Sequence, residues 1–364
     1  MGADGSSGTP APRRPRLADV AARVGLSPAS VSLVLRGEPG PSEATRRRVQ
    51  EAAEALGYRA DRTASLLARR RSGLLGLLID VHSPFHAELV EDVDAAAGRS
   101  GYDVVLSTLT RTRDETRAVD TLLDFRCEAL VLLGPLAGEQ RLAELDRTVP
   151  VVVVGRRLRP VVVDVVRSAD DQGVAQLVDH LVDLGHERIA YVDGGRGVIA
   201  ADRRRGYRTA LRRRGLGERT DVVPGGPTEA SGVAAAERLL RRGALPSAVV
   251  AYNDRAALGL LDALARAGVE VPGQVSVAGY DDTPLARSAA VDLTSVGQGA
   301  QQQAERAVAA VVDRLAGRRT GAAEFVLAPQ LVVRGSTGAA RAGSALDGVE
   351  VDGAEVGGVE VGTA

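Results

Sequence analysis

Few residues in this chain are placed to carry covalent or metal chemistry. It contains one cysteine, Cys127, and four histidines, and no set of His, Cys and acidic residues has the spacing of a metal site. No serine lies in the Gly-x-Ser-x-Gly pattern of a nucleophile elbow. A single cysteine also excludes an internal disulfide and fits a reducing compartment. We therefore expect no catalytic residue, no metal and no cofactor, and we expect the protein not to be an enzyme.

One pattern favours the alternative of a nucleotide-dependent enzyme. In RIAYVDGGRGVIA, residues 188–200, Gly195, Gly197 and Ala200 fit the G-x-G-x-x-A spacing that follows a strand in dinucleotide sites. Such a fingerprint usually opens its domain, whereas a whole predicted lobe precedes this one. The acidic residue expected at the end of the next strand is not clearly placed, because Asp221 precedes VVP instead. The pattern is therefore a weak signal for an enzyme.

The charges are distributed unevenly along the chain, which favours a polyanionic partner. Residues 13–71 hold 13 arginines against 6 acidic residues, a net charge of +7. The rest of the chain holds 33 arginines against 41 acidic residues, a net charge of −8. A basic N-terminal block on an acidic body is typical of proteins whose basic part binds nucleic acid. A solvated charged surface is the alternative interpretation.

The elements that would position this basic block are short helices. In LADVAARVGLSPASVSLVLR, residues 17–36, apolar residues recur at helical spacing and Gly25 stands where a turn often needs a positive φ. Ser27 is a favourable N-cap and Pro28 a favourable first residue for a second helix. Residues 42–57 have the cap and the terminal glycine of a third helix. The spacing predicts a helix-turn-helix that binds DNA, with a protein-binding three-helix domain as the alternative.

From Leu74 onward, apolar runs alternate with amphipathic helical segments such as residues 169–184. This alternation predicts parallel, buried sheets, and the number of runs favours two α/β lobes rather than one. The predicted strands are residues 74–80, 102–107, 129–134, 151–155, 188–193, 247–252 and 275–281.

Composition marks the ends of the chain and the boundaries between its parts. Residues 1–16 predict a flexible arm, and residues 339–364 predict a disordered tail without the leucine heptads of a coiled coil. Between them we expect a headpiece at 17–60, a short basic linker at 61–72 and a two-lobed domain at 73–338. No apolar run approaches the roughly 20 residues of a membrane helix, and the N-terminus lacks the apolar core of a secretory signal. We therefore expect a cytoplasmic protein.

Six stretches of the chain stand in an order that is known from one protein family. They are LADVAARVGLSPASVSLVLRG, SEATRRRVQEAAEALGY, GLLIDVHSPFHAELV, LVDLGHERIAYVDG, AYNDRAALGLLDALARAGVEVPGQVSVAGYDDT and LVVRGST. Through them, residues 17 to about 338 resemble the lactose/galactose repressor family of bacterial transcription regulators. The resemblance implies an all-α helix-turn-helix headpiece and a hinge helix. It also implies a two-lobed α/β body like that of periplasmic sugar-binding proteins.

The resemblance implies that the protein regulates transcription, as a repressor, by binding double-stranded operator DNA. A homodimer would place the second helix of each headpiece in the major groove of one half-site. Residues 61–70 would form a hinge helix ordered on the operator, with Leu67 as a minor-groove wedge beside Arg69. Leu67 as a core leucine of an amphipathic helix is the alternative.

The second helix departs from the family at positions that matter for base recognition. This chain has Leu33 where the family commonly has arginine, and Arg36 where the family commonly has asparagine. We therefore expect few bidentate hydrogen bonds to bases, with Ala29 and Leu33 meeting thymine methyl groups. The serines and arginines would hold phosphates. The expected DNA-binding residues are Ser27, Pro28, Ala29, Ser30, Ser32, Leu33, Arg36, Leu67 and Arg69.

In the body, the resemblance implies a small polar effector, a sugar or sugar derivative, bound in the cleft between the lobes at the carboxyl ends of strands. The residues at matching positions are Phe85, His86, Arg203, Asn253 and Asp281. Asn253 and Asp281 as helix caps are the alternative. A sugar-binding protein that does not bind DNA also stays open as an alternative function.

Two further expectations concern the cleft. Where the family often has aspartate after the fourth strand, this chain has Gly155 followed by Arg156 and Arg157. The lost carboxylate and the added cations leave an anionic effector open. The family's body also crosses between its lobes three times, and we expect these crossings near residues 160, 290 and 325.

Overall fold

The structure is a computed structural model that describes residues 15–35, 38–58 and 71–341. The chain divides into two compact units, residues 1–72 and residues 73–364. We name the first unit the headpiece and the second the body. Each has an apolar core of its own.

Local capping fixes the three helices of the headpiece. They are α1 (Leu17–Val24), α2 (Pro28–Leu35) and α3 (Glu43–Leu56). The Ser27 hydroxyl accepts the N–H of Ser30 at 3.1 Å, and the Ser42 hydroxyl accepts the N–H of Thr45 at 3.3 Å, so each serine satisfies a free donor at a helix start. α1 ends at Gly25, whose φ of +67° glycine adopts without strain. The helix-turn-helix predicted from the sequence is confirmed.

The core of the headpiece consists of small apolar side chains contributed by all three helices. Val20 of α1, Val31 of α2 and Val49 of α3 are completely buried. Ala21 is also buried, as its small size at the helix crossing predicts. Because this core fixes which side of α2 faces inward, it also fixes the side that α2 presents to solvent.

The first lobe of the body, which we name the N-lobe, contains six strands and four helices. They are β1 (Leu74–Asp80), α4 (Pro84–Arg99), β2 (Asp103–Leu109), α5 (Glu115–Asp124), β3 (Ala129–Leu133), α6 (Glu139–Asp146), β4 (Val151–Val154), β5 (Asp164–Ser168), α12 (Ala300–Leu315) and β11 (Glu324–Leu327). The sheet is parallel throughout, in the order β11–β5–β4–β3–β1–β2. α4 and α12 pack on one face and α5 and α6 on the other, which is why β3 and β4 are entirely apolar.

The second lobe, the C-lobe, has a four-stranded parallel sheet in the order β7–β6–β8–β9 and a separate antiparallel pair, β10–β12. Its elements are α7 (Asp170–Asp183), β6 (Ile189–Val192), α8 (Val198–Arg213), β7 (Asp221–Val223), α9 (Glu229–Leu240), β8 (Ala248–Ala251), α10 (Asp254–Arg266), β9 (Ser276–Ala278), α11 (Pro284–Arg287), β10 (Ser295–Gly297) and β12 (Gln330–Val332). α7 and α8 cover one face of the parallel sheet, and α9 and α10 cover the other. The predicted class, a helical headpiece followed by a two-lobed α/β body, is confirmed.

The chain crosses between the lobes three times, but later than we expected from the sequence. The crossings lie between β5 and α7, between β10 and α12, and between β11 and β12, near residues 169, 298 and 328. The expected positions near 160 and 290 were too early, whereas the expected position near 325 agrees with the observed crossing to within three residues. Past residue 160 the chain adds one further strand to the N-lobe sheet, β5, and near 290 it still pairs within the C-lobe through β10.

Helices α9 and α10 approach so closely that their backbones touch. A Cβ atom on Gly232 of α9 would lie 2.0 Å from the carbonyl oxygen of Ala256, and one on Gly259 of α10 would lie 1.9 Å from that of Glu229. Real side chains do not tolerate such distances. Each glycine therefore leaves the space that the backbone of the other helix occupies, and the two helices pack closely against each other.

Two further observations concern the ends of the chain and its helices. The N–H of Ala340 donates to the carbonyl of Leu184 at 2.8 Å, so the predicted tail boundary at residue 339 was too early: the described residues 339–341 still run against the C-lobe. Within the described ranges, no single helix is long and apolar enough to cross a membrane, although α1 and α2, bent by 104°, pass that test as a pair.

Candidate DNA-binding surface and effector cleft

The outward side of α2 carries small and apolar residues. Val31 and Val34 point into the headpiece core, which leaves Pro28, Ala29 and Leu33 on the exposed side. Leu33 is 37% exposed, a large value for a leucine that could have packed inward. Ser32 is half-buried beside them. This side of α2 therefore offers methyl and methylene groups rather than a forked hydrogen-bond donor.

Several polar groups of the headpiece are already engaged in holding it together. The hydroxyls of Ser27 and Ser30 lie 2.9 Å apart at the start of α2. Arg48 donates to the carbonyl of Val24 at 2.7 Å and so ties α3 to the end of α1. Arg23 of α1 and Arg47 of α3 are exposed. The other three expected DNA-binding residues, Arg36, Leu67 and Arg69, lie outside the described residues.

The carboxyl-terminal edges of the two parallel sheets lie opposite each other, and we name the region between them the interlobe cleft. Arg157 follows β4 in the N-lobe and pairs with Asp202 of α8, which follows β6 in the C-lobe. Arg287, beyond β9, pairs with Glu88 of α4, beyond β1. These pairs place the ends of both sheets opposite one another, where ligands of open α/β sheets bind.

Arg203 is buried in the C-lobe at the base of this cleft, and its donors are largely used by the protein itself. The side chain is 4% exposed. Its Nε donates to Asp170 Oδ1 at 2.8 Å, Nη1 to the carbonyl of Tyr252 at 2.7 Å, and Nη2 to Asp281 Oδ1 at 3.3 Å. Burial by itself lowers the pKa of Arg203, but the two carboxylates raise it well above its ordinary value, so the guanidinium stays charged.

Two tyrosine rings complete the surroundings of Arg203. Its guanidinium carbon lies 3.7 Å from the centroid of the Tyr280 ring and 4.9 Å from that of Tyr252. Such contacts stabilise a cation through the negative faces of the rings. Arg203 is therefore fixed in place before any ligand arrives, and it acts mainly by holding Asp281.

Asp281 lies three residues after β9, at the carboxyl-terminal edge of the C-lobe sheet. Its φ of +106° is unusual for a residue with a side chain, and its N–H donates to the carbonyl of Val296 at 2.8 Å. Gln298 Nε2 donates to Oδ1 at 2.7 Å, the same oxygen that Arg203 contacts. Both contacts are made by Oδ1, so Oδ2 is the oxygen left for another partner. Burial raises the pKa of the Asp281 carboxyl, although Arg203 and Gln298 oppose the shift.

Asn253 and Phe85 are accounted for by structural roles. Asn253 Oδ1 accepts the N–H of Ala256 at 2.9 Å and caps α10, while Nδ2 donates to the carbonyl of Pro227 at 3.1 Å. The capping alternative for Asn253 is therefore observed. Phe85 is 6% exposed and packs with Leu89 in the N-lobe core, so core packing explains its position without a ligand.

His86 is held in one neutral form. Its Nδ1 accepts the N–H of Asp80 at 3.0 Å, so the proton of the neutral ring resides on Nε2. Burial lowers the pKa of His86 to about 4, and the nearby Asp80 opposes this only in part. His86 thus offers one N–H donor from the N-lobe side.

A family model described as bacterial regulatory proteins, lacI family, matches residues 16–61, and a model of a periplasmic binding protein-like domain matches residues 178–337. The HTH-type transcriptional regulator GalR of Escherichia coli K12 is 34% identical over 283 residues, which cover 76% of this chain and 82% of GalR. The chain belongs to the lacI family. Another member, the HTH-type transcriptional regulator reg1 of Streptomyces lividans, is 34% identical over 89% of this chain and 97% of reg1.

Solved structures agree with this assignment of the lacI-family chain. The lac repressor dimer bound to operator and the anti-inducer ONPF has a TM-score of 0.76 and 27% identity, covering 90% of this chain and all of that one. A complex of the transcriptional regulator CelR with cellobiose has a TM-score of 0.66 and 31% identity, covering 89% of this chain and all of that one. The protein is a DNA-binding transcriptional regulator.

The dinucleotide-like pattern of this lacI-family regulator does lie between a strand and a helix. Gly195 and Gly197 have φ values of +88° and +133°, Gly197 immediately precedes α8, and Ala200 is buried. The positive φ values of the two glycines fit the turn into the helix that carries Arg203, and the relatives described above are transcriptional regulators. Among the residues that the structure describes, no group of three or more His, Cys, Asp and Glu side chains could hold a metal ion.

Several residues of this lacI-family chain that surround Arg203 and its neighbour Arg204 carry no sequence motif. Asp170 and Tyr252 hold Arg203 but lie 33 and 49 positions away from it, with no motif that links them. Asp193, directly after β6, pairs through Oδ2 with Arg204 at 2.5 Å, while its buried Oδ1 has no hydrogen-bond partner in the described part of the chain. An acidic residue directly after a predicted strand was the signal that could have found Asp193.

Proposed function

We propose that this regulator is a repressor that binds a pseudo-palindromic operator as a homodimer, and that a small uncharged sugar or sugar derivative controls its operator affinity. The observation that supports the effector assignment is Asp281, a carboxylate that Arg203 and Gln298 hold through Oδ1, which leaves Oδ2 for a ligand hydroxyl. A cytoplasmic location follows from the proposal, because the operator is chromosomal DNA.

On the DNA side, α2 lies in the major groove of each half-site. Ala29 and Leu33 contact thymine methyl groups, while hydroxyls at the start of α2 and the exposed Arg23 and Arg47 meet phosphates. In this proposal Arg36 and the hinge residues Leu67 and Arg69 add contacts to the backbone and the minor groove. Ser27 and Pro28 form the start of α2. Ser30 and Ser32 lie on the same helix and add hydrogen bonds to the DNA phosphates.

On the effector side, the cleft favours hydroxyl groups over an anion. Asp281 and Asp193 accept hydrogen bonds, and His86 donates one from Nε2. Arg156 and Arg157 were the cations that could have bound an anionic effector. In the structure Arg157 pairs with Asp202, and Arg156 donates to the carbonyl of Ala137. An anion would meet two carboxylates, whereas a sugar hydroxyl donates to each of them. The relative CelR has been solved with cellobiose.

The homodimer is supported by an apolar surface on the C-lobe. Leu258 and Leu261 of α10 and Val291 beyond α11 line one groove, and Leu285 at the start of α11 is 53% exposed. A groove lined by several apolar residues is a surface that a second copy of the chain could cover. The lac repressor that this chain resembles is described as a dimer.

The test is a selection of bound duplexes from a random DNA pool with the full-length protein, followed by release assays with sugars. We expect an inverted repeat whose binding falls steeply with salt, because arginines displace counterions from the phosphates. A variant lacking residues 1–72 is the control and should recover no sequence. Recovery of sequences without an inverted repeat contradicts the homodimer, and release by sugar phosphates but by no neutral sugar contradicts the uncharged effector.

A further inference from the structure

Three polar contacts join the two lobes at the rim of the cleft, and we name them together the interlobe clasp. Arg157 of the N-lobe donates to Asp202 Oδ1 of α8 at 2.7 Å. Arg287 of α11 donates to Glu88 Oε2 of α4 at 3.1 Å. Arg255 of α10 donates to the carbonyl oxygen of His82, which follows β1.

Each C-lobe member of the clasp also has a partner within its own lobe. The first is Asp202, which accepts from Arg205 Nη1 at 2.6 Å through the oxygen that Arg157 contacts. The second is Arg287, whose Nε lies 3.2 Å from Asp282 Oδ2. The third, Arg255, donates through Nε to Glu229 Oε1 at 2.7 Å.

These second partners make the clasp reversible. Asp202 is 6% exposed, and a buried charge without a partner is strongly unfavourable, yet Asp202 retains Arg205 when Arg157 leaves. The N-lobe members are already partly hydrated, since the side chains of Arg157 and Glu88 are 30% and 22% exposed. Opening of the cleft therefore exchanges each interlobe contact for water and leaves the C-lobe charges paired.

We propose that Arg157, Arg255 and Arg287 set the equilibrium between closed and open lobes, and with it the effector concentration at which the regulator responds. The second half rests on the proposed function, because an effector acts only by preferring one arrangement of the lobes. The first half concerns the body alone. The proposal also gives Arg157 a role. Arg157 follows the fourth strand, near the position where the family often has aspartate, and it joins the two lobes through Asp202 instead of binding a ligand.

The experiment measures the distance between the lobes in the full-length protein without DNA and without effector. Cysteines that replace Gln140 on α6 and Ala230 on α9, both exposed and on opposite lobes, carry a donor and an acceptor dye for single-molecule energy transfer. The native Cys127 is buried, and burial raises the pKa of its thiol to about 11, so it stays unlabelled.

The variants form a graded series at position 157. We expect R157K to match the parent, R157A to raise the ratio of open to closed molecules about two- to fivefold, and R157E to raise it further because glutamate would face Asp202. E88Q should act at the other rim, and R157A/E88Q should give about the product of the two single effects. High salt should raise the ratio in the parent and less in R157A.

R213A is the matched control, because it removes an arginine–aspartate pair, Arg213 with Asp179, that joins α7 and α8 inside the C-lobe. An unchanged open fraction in R157A and E88Q, with circular dichroism showing folded protein, refutes the clasp. So does an R213A shift as large as that of R157A. If R157E does not fold, the comparison of R157K with R157A decides. Either refutation leaves operator selection and sugar release unaffected, so the proposed function is judged separately.

Discussion

Replacement of Arg203 by alanine removes the cation that the structure places against two buried carboxylates. Asp170 is 3% exposed and loses the Nε donor at 2.8 Å, and Asp281 loses the Nη2 donor at 3.3 Å. The contact of the guanidinium with the Tyr280 ring is lost as well. We expect the R203A variant to have a lower free energy of unfolding of the body, whether or not an effector is present.

The magnitude follows from the cost of leaving a buried charge without its partner, about 3–5 kcal/mol. In a body of this size that corresponds to a fall in melting temperature of about 10 °C. The double variant R203A/D170N should recover part of the loss, because it removes one of the two carboxylates left unpaired. Thermal and urea unfolding, followed by circular dichroism, measure both variants.

The loss of stability in R203A should depend on pH, because the carboxyl groups of Asp170 and Asp281 titrate. Burial raises the pKa of Asp170 and of Asp281, and the charge of Arg203 is the largest opposing effect. Without Arg203 both pKa values rise further. A carboxyl whose folded-state pKa is raised contributes stability below its unfolded pKa and loses that contribution as pH rises through the folded pKa. R203A should therefore be closer to the parent at pH 5 than at pH 8.

R213A serves as the control here too, since its ion pair is exposed and worth less than about 1 kcal/mol. If R203A loses no more stability than R213A, the buried network does not hold the C-lobe and our account of Arg203 is wrong. If R203A is destabilised equally at pH 5 and pH 8, the carboxylates are not the cause. For effector assays D281N is the better variant, because it retains Arg203.

Three further predictions concern other parts of the molecule. L33R should shift the selected operator toward guanine at one position per half-site, by about 1–3 kcal/mol, and an unchanged selection would show that residue 33 does not face the bases. S42A should cost the headpiece about 1 kcal/mol in thermal unfolding through loss of the α3 cap, with base preference unchanged; a changed preference would contradict a purely capping role. His86 contributes stability above pH 6.5 that is lost as pH falls toward its folded pKa of about 4, so the parent should lose more stability over that range than H86Q, and parallel curves would contradict the buried neutral ring.

The starts and ends of the headpiece helices that the sequence predicted agree with the structure because local chemistry determines them. A serine before a helix, proline at its first position and glycine after its end act on neighbouring backbone groups, so the starts of α2 and α3 and the ends of α1 and α3 follow from the sequence itself. The long apolar runs of the body gave most strands of the parallel sheets for a similar reason, since a strand buried on both faces must be apolar throughout.

The parts that escaped prediction depend on contacts between distant segments. β5 contains Arg167 and Asp164 and β11 begins with Glu324, so neither has the continuous apolar pattern of a central strand. Arg167 and Glu324 pair with each other only after the two strands meet. The predicted positions of the crossings between the lobes were inaccurate because an apolar pattern predicts a strand but not the sheet that the strand joins.

The site divides in the same way. Arg203 and Asp281 stood out through family-like motifs, and the structure brings them together. Their partners could not be found: Asp170 opens a helix and looks like an ordinary acidic first turn, and Tyr252 contributes only a backbone carbonyl. For Asn253 the sequence left two alternatives open, a ligand contact and a helix cap. The structure shows the helix cap.

The touching backbones of α9 and α10 determine how movement passes through the C-lobe. The backbones touch at Gly232 and at Gly259, so we expect the two helices to move together as one rigid body. α10 begins at the cleft, where it carries Arg255, and continues past Leu258 and Leu261 on the apolar surface. We therefore expect a tilt of α10 at its cleft end to displace the apolar surface at its other residues directly, without a series of side-chain rearrangements between the two.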